Sequence, residues 1–231
     1  MSEKNSEETL EALSGLYPFL HDKKQDPSAL NSALLQSVEL KAEDHIKVLA
    51  EFFQTHAQDI VDTAKTIAET YRSDGRLLTM GNGGSSCDAA HVAVEFQHPV
   101  TAGRPALTAI NLTSDITMMT AVGNDIGFDH IYTRQVIAQG RKGDCLIGLS
   151  TSGNSDNLVN AFEKAKEMGI KTIGFAGMSG GAMNEIGLDH CLTIKSQSIH
   201  RIQECHLTIY HILWDLVHTL LADDRGGLKS D

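Results

Sequence analysis

The sequence predicts an α/β fold in which a parallel sheet is covered by helices on both faces. Five short apolar runs, 77–80, 106–111, 145–149, 172–176 and 191–194, are each followed by a Gly, Asn or Ser turn and then a helical segment. Strands that alternate with helices pair in parallel, because each return to the sheet passes over its face. The 231 residues, 41% hydrophobic and 21% charged, supply one sizeable core and exclude a collagen, a coiled coil or wholesale disorder.

Taken in order, residues 1–29 carry Gly15, Pro18, Pro27 and many polar side chains, and read as a flexible N-terminal arm with one short helix at 7–13. Residues 29–53 and 57–71 place apolar side chains at helical spacing (Leu30, Leu34, Leu35, Val38; then Ile60, Val61, Ala64, Ile67, Ala68, Tyr71), which predicts two amphipathic helices. The alternating strands and helices follow from residue 77. A last helix over 201–221 has Ile202, Cys205, Ile209, Ile212, Leu213, Leu216, Val217 and Leu220 at helical periods. Together with the N-terminal pair it offers more apolar surface than one sheet face needs, so burial against another copy of the chain is expected. Residues 223–231 form a polar tail.

Charge and cysteine usage narrow the function classes. Lys plus Arg total 19 against 30 Asp plus Glu, a formal charge of −11, which argues against a broad footprint for nucleic acid or anionic lipid and leaves room for a local anion site. Residues 1–11 contain no apolar h-region, and the longest apolar stretch, 207–222, is interrupted by His211, Asp215 and His218. No signal peptide and no membrane span are therefore read, and a cytoplasmic location is expected. Cys87, Cys145, Cys191 and Cys205 have no C-x-x-C spacing and read as reduced core fillers.

The sharpest chemical signal is Ser150-Thr151-Ser152-Gly153-Asn154-Ser155, which follows an apolar strand and opens a helix. Hydroxyls and backbone N–H groups converge there on a helix N-terminus, whose unpaired donors favour a phosphate. One hydroxyl is sufficient for a cap, so three Ser and a Thr at a strand's carboxyl end favour anion binding over simple capping. A P-loop is excluded because no Gly-Lys-Ser/Thr follows. A second turn, Gly81-Asn82-Gly83-Gly84-Ser85-Ser86, follows the first strand and lets a ligand approach the backbone closely. It does not complete G-x-G-x-x-G, and the next strand ends on Asn111 rather than an acidic residue, so a dinucleotide is disfavoured.

On the following helix, His91 and Glu95 stand four residues apart and share a face, a spacing that presents an imidazole and a carboxylate to one ion or one substrate. The neighbours Ala89, Ala90, Val92, Ala93 and Val94 are small or apolar, so the carboxylate is partly desolvated and suited to taking a proton from carbon. The last helix offers Gln203, His206 and His211, with His206 and His218 read as packed histidines. Gln203 and His211 lie about 12 Å apart along a helix and roughly 80° apart around it, so spacing alone does not join them. The segment Val122-Gly123-Asn124-Asp125-Ile126-Gly127 reads as a turn, with a ligand role and a plain turn about equally supported.

In combination these stretches resemble the sugar isomerase (SIS) domain family, and within it the phosphoheptose isomerases. The likeness spans residues 30–222 and rests on Gly81-Asn82-Gly83-Gly84-Ser85, the helix from Cys87 through His91 to Glu95, Gly123-Asn124-Asp125, the Ser150–Ser155 turn, and Arg201-Ile202-Gln203-Glu204 through His211. It implies a flavodoxin-like five-stranded parallel sheet with N-terminal helices, in a cytoplasmic homotetramer. It also implies sugar-phosphate contacts from Asn82, Gly83, Gly84, Glu95, Asn124, Asp125, Ser150, Thr151, Ser152, Ser155 and Gln203, with proton transfer by Glu95 and His211. For part of the family it implies zinc held by His91, Glu95, Gln203 and His211, with no nucleotide cofactor.

Two positions depart from the family pattern: Pro99 stands where many of these isomerases have an Arg, and His200 where some have an Asp. Losing the Arg leaves hydroxyls and backbone donors to hold the phosphate. The implied reaction is an aldose–ketose isomerisation of a sugar phosphate, sedoheptulose 7-phosphate first among the candidates, through an enediol. The alternative is a non-catalytic SIS protein that binds a replication initiator protein or senses a sugar phosphate. Such relatives lack the Glu and His that this chain has.

Overall fold

The computed structural model describes residues 27–223. The short helix expected at 7–13, most of the expected arm and all but the first residue of the expected tail lie outside the described residues. The chain divides into two compact units between Asp44 and His45. The first is described here by helical residues 27–44, where Leu34, Leu35 and Val38 are exposed.

Helix α1 runs unbroken over Pro27–Arg72, which corrects the expected helical pair. Its only proline occupies the first helical position, where the missing N–H costs no bond, and no glycine interrupts the remainder. Polar Gln54-Thr55-His56 looked like a break, but the Thr55 hydroxyl donates to the Glu51 and Phe52 carbonyls at 3.1 and 3.2 Å and stays within the helix.

Beyond α1 the order is β1 (Leu77–Gly81), α2 (Gly84–Gln97), β2 (Ala109–Asn111), α3 (Ile116–Asp125), a 3₁₀ turn at Phe128–His130, and α4 (Ile131–Gln139). Then come β3 (Cys145–Ser150), α5 (Asp156–Glu167), β4 (Lys171–Gly177), α6 (Gly181–Glu185), β5 (His190–Ile194) and α7 (Ile199–Asp223). All four strand pairs are parallel, in the order β2-β1-β3-β4-β5, which is the doubly wound flavodoxin-like arrangement. Chain direction across the sheet reverses between β1 and β3, so their carboxyl ends open the crevice where such folds hold ligands.

The pleat sends alternate strand residues into two cores. Leu77, Cys145, Ile147, Ile173 and Phe175 face α1, α2 and α7, where Ile67, Val92, Phe96, Ile202 and Leu213 are buried. Leu78, Met80 and Leu146 face the other layer, with Ile131, Leu158 and Phe162. Both faces of β3 are wholly buried, which accounts for its unbroken apolar run.

Three local expectations change. Strand β2 is shorter than 106–111, because the Leu107 N–H donates to the Phe96 carbonyl at 2.8 Å and holds the chain against the end of α2. Residues 122–125 are the last turn of α3 rather than a turn, with the chain reversing at Ile126 and Gly127, whose φ is 104°. Cys145 and Cys205 are buried and Cys191 half-buried, but Cys87 is exposed on the first turn of α2 and fills no core. Among the described residues no helix is long and apolar enough to cross a membrane.

His206 is packed, as expected, with its Nε2 3.1 Å from the Ala176 carbonyl and the ring edge-on to Phe175. Burial pushes its pKa down to about 4, only partly opposed by that carbonyl. In the unfolded chain the imidazole reverts to about 6.5, so stability is fully present above that pH and falls as pH drops through the window toward 4. We expect unfolding free energy from urea titration to fall by about 2 kcal/mol more between about pH 7 and pH 5 in the wild type than in His206→Gln. Parallel pH dependences in the two proteins would contradict this.

Candidate active site

Two helices from distant parts of the chain build the site. Helix α2 starts at the turn after β1, and α7 runs beside it in the same direction. Gly84 meets Gln203, His91 meets Tyr210, and Glu95 meets Trp214, each pair separated by the same 119 residues. A constant offset means parallel packing in fixed register over nearly three turns. Gly84 leaves room for the Gln203 amide at the top of this contact, since a Cβ there would lie 2.4 Å from its nitrogen and push the glutamine aside. Ala89 and Ala93 on α2, with Cys205 and Ile209 on α7, are buried small or slender side chains that let the helices approach.

This register brings together His91, Glu95 and His211, whose ligating atoms all lie within 4.8 Å of one another. His91 Nε2 stands 3.1 Å from Glu95 Oε1, and the His91 and His211 rings meet edge to face with centroids 5.1 Å apart. Glu95 is partly buried, with its side chain 22% exposed. The His211 pKa is held down by burial first and by the neighbouring His91 second, while Glu95 opposes the shift. A neutral imidazole beside a carboxylate offers one proton acceptor and one amphoteric group to the same small volume. Imidazole nitrogens and a carboxylate oxygen at this separation are also a donor set that suits zinc.

Sequence reasoning missed the residues that hold this cluster. Tyr210 places its hydroxyl 2.8 Å from His91 Nδ1. Burial raises the phenol's pKa, and the charges of Asp88 and Glu95 push in the same direction. Asp88, one turn ahead of His91, has its carboxyl pushed up to about 6 by burial, and its Oδ2 is buried without a hydrogen-bond partner. Trp214 donates from Nε1 to the Glu95 carbonyl at 2.8 Å. That carbonyl would look four residues ahead for its helical donor and finds Pro99, which has no N–H, so the indole supplies the missing bond. Arg104 stacks on the indole, 4.4 Å from its centroid, and pairs with Asp215 at 2.6 Å. Gln203, Tyr210 and Trp214 fall on one stripe of α7, and that seven-and-four spacing was the available signal.

The turns after β1 and β3 lie at the carboxyl edge of the sheet. In the turn after β3, Ser150 Oγ lies 3.0 Å from Ser155 Oγ and accepts from the Gly153 N–H at 3.2 Å. Ser155 is the N-cap of α5 but makes no side-chain cap bond, so plain capping does not account for the cluster of hydroxyls. The Thr151 carbonyl and the Ile202 side chain meet at Gly177, where a Cβ would come within 2.5 Å of each, so this turn sits against the base of α7. The turn after β1 is tied to α5 by paired amides, Asn82 to Asn157 at 2.9 and 3.0 Å, and to α4 by Tyr132, whose hydroxyl donates to the Gly81 carbonyl. Asn82 is thus engaged in holding the two turns together. Asn124 and Asp125 are exposed at the end of α3, where the Asn124 amide donates to Asp125 at 2.9 Å.

A cavity of about 400 Å³ between Lys65 and Lys171 lies at the opposite, amino edge of the sheet, beside Gly143 and Gly169. Its lysines are already paired with Asp62 at 2.9 Å and Asp189 at 2.6 Å, so they are poor phosphate anchors.

An SIS domain model matches residues 42–177. The chain is 41% identical over 182 residues to the phosphoheptose isomerase of Roseiflexus sp., covering 79% of this chain and 92% of that one. It is 40% identical over 200 residues to the phosphoheptose isomerase of Desulfovibrio desulfuricans, covering 86% and 94%. The structure of phosphoheptose isomerase GmhA from Neisseria gonorrhoeae superposes with a TM-score of 0.76 at 34% identity, covering 80% of this chain and 99% of that one.

The link between Pro99 and Trp214 is testable on stability alone. Trp214→Phe keeps a ring under Arg104 but leaves the Glu95 carbonyl without a donor, at an expected cost of about 1–2 kcal/mol in urea unfolding. In a Pro99→Ala background, which restores an N–H, the same substitution is expected to cost less than about half as much. Equal costs in both backgrounds would contradict the assignment.

Proposed function

The chain belongs to the SIS domain family, among its phosphoheptose isomerases, and from that membership we propose that it converts sedoheptulose 7-phosphate to D-glycero-D-manno-heptose 7-phosphate. The observation that supports this most is the convergence of Glu95 and His211, from helices on either side of the sequence, within 4.8 Å of each other.

The reaction moves one proton between two carbons and one between two oxygens. Glu95 removes the proton from C1 as the carbonyl oxygen at C2 gains one from His211, which gives the enediol. Glu95 then returns its proton to C2 while the O1 proton passes to His211, which closes the aldehyde at C1 and leaves both side chains as they began. The Ser150–Ser155 turn holds the phosphate with hydroxyls and backbone N–H groups, so binding energy remote from the reacting carbons aligns them. Those neutral donors replace the guanidinium that Pro99 lacks. Gly83 and Gly84 keep side chains out of the sugar's path, and Gln203 presents its amide there. Asn124 and Asp125, exposed at the end of α3, are left as sugar contacts by the family pattern alone.

The same cluster fits a zinc ion held by His91, Glu95 and His211, with Gln203 as the fourth donor by the family pattern. Bound there, the ion supplies Lewis-acid polarisation of the carbonyl and of the enediolate oxygens. In this reading the protein is a cytoplasmic homotetramer: its cysteines are free, and exposed Leu34, Leu35 and Val38 on α1 offer apolar surface for a second copy. Its formal charge of −11 speaks against nucleic acid as a direct partner.

An isomerase assay over a panel of ketose phosphates tests the proposal. Turnover is expected with sedoheptulose 7-phosphate, and Glu95→Gln and His211→Gln should each lower kcat by at least about 100-fold. Absence of turnover in the wild type, or an unchanged rate in either variant, would overturn it.

A further inference from the structure

We propose that Tyr210 is a positioning residue that sets the tautomer of His91, donating to its Nδ1 when the site is empty of metal and accepting from Nδ1–H when a divalent ion takes Nε2. This rests on the metal reading of the His91, Glu95 and His211 cluster.

A carboxylate oxygen only accepts, so the 3.1 Å contact to Glu95 places the proton of a neutral His91 on Nε2. Nδ1 then carries the lone pair, and the Tyr210 hydroxyl at 2.8 Å donates to it. An ion held between His91, Glu95 and His211 needs the lone pair on Nε2 instead, the nitrogen on Glu95's side. The ring's proton then belongs on Nδ1, and that N–H needs an acceptor. Tyr210 is placed for both states because a phenol hydroxyl donates or accepts by rotating about one bond. Phenylalanine at 210 does neither. Metal-bound histidines depend on the acceptor for their second N–H, which fixes ring orientation and makes the ligating nitrogen more basic.

The structure also supplies the mechanical support. The His91 and Tyr210 rings meet edge to face with centroids 5.3 Å apart, and Tyr210 meets His211 the same way at 4.9 Å. Tyr210 is buried, at 3% exposure, so water does not replace its hydroxyl readily. One phenol thus holds both histidines of the cluster in place.

The test compares wild type with Tyr210→Phe, which keeps the ring packing, by two readouts that do not involve turnover. Zinc affinity is measured by competition with a chromophoric chelator, and the His91 ring by ¹⁵N NMR with and without zinc. In the wild type the proton is expected on Nε2 without zinc and on Nδ1 with it, and Tyr210→Phe should weaken zinc binding by about 10- to 100-fold. Zinc binding by Tyr210→Phe within about threefold of wild type, or a zinc-free wild type already protonated on Nδ1, would overturn the role of Tyr210 while leaving the metal site standing. A wild type that binds no zinc would overturn the metal reading itself and this inference with it.

Discussion

The parallel, in-register packing of α2 against α7 is the constraint on which the rest of the structure depends. Three contacts at one sequence offset fix both the rotation and the slide of the two helices. A slip of one residue would turn each side chain by about 100° and separate His91 and Glu95 from His211. Most of the holding energy lies in the apolar layer beneath, where Val92, Phe96, Ile202 and Leu213 close over the sheet. Register, however, is set by the polar contacts above it. The glycine that opens α2 and the proline just beyond its end bracket the register: one lets Gln203 approach, and the other leaves a carbonyl that Trp214 fills.

The sheet gives this helix pair a second point of reference. Strands β1 and β3 are neighbours across the reversal in chain direction, so their turns lie side by side, joined by the Asn82–Asn157 amides. The base of α7 closes against the end of β4 at Gly177, beside the Thr151 carbonyl. Deep inside, His206 binds the Ala176 carbonyl one residue earlier on β4. The hydroxyl-lined turn and the cluster of His91, Glu95 and His211 therefore sit on one frame, which is what the proposed reaction requires for a substrate with a charged end and a distant reacting carbon.

Much of this was legible in the sequence because it is local. The apolar runs of β3 and β4 announce strands buried on both faces, and His91 and Glu95 declare a shared face by spacing alone. What was not legible depends on tertiary contacts. Polar residues 54–56 suggested a break in α1, but without glycine or proline nothing stops the helix. The bond from the Leu107 N–H to the end of α2 shortens β2. The joining of His211 to His91 could not be read from α7, where His211 lies well around the helix from Gln203; it follows only from the register with α2. Tyr210 and Trp214 were not singled out, because their polar atoms find partners 119 residues away.

The proposed reaction requires Glu95 and His211 to address one bound sugar whose phosphate lies in the Ser150–Ser155 turn. A crystal structure with a non-isomerisable analogue of sedoheptulose 7-phosphate, reduced at the carbonyl, tests this most directly. C1 and C2 are expected between the Glu95 carboxylate and the His211 ring, with the phosphate oxygens on the hydroxyls and N–H groups of residues 150–155. An analogue bound with its phosphate between Lys65 and Lys171, or with its reacting carbons away from either side chain, would contradict it.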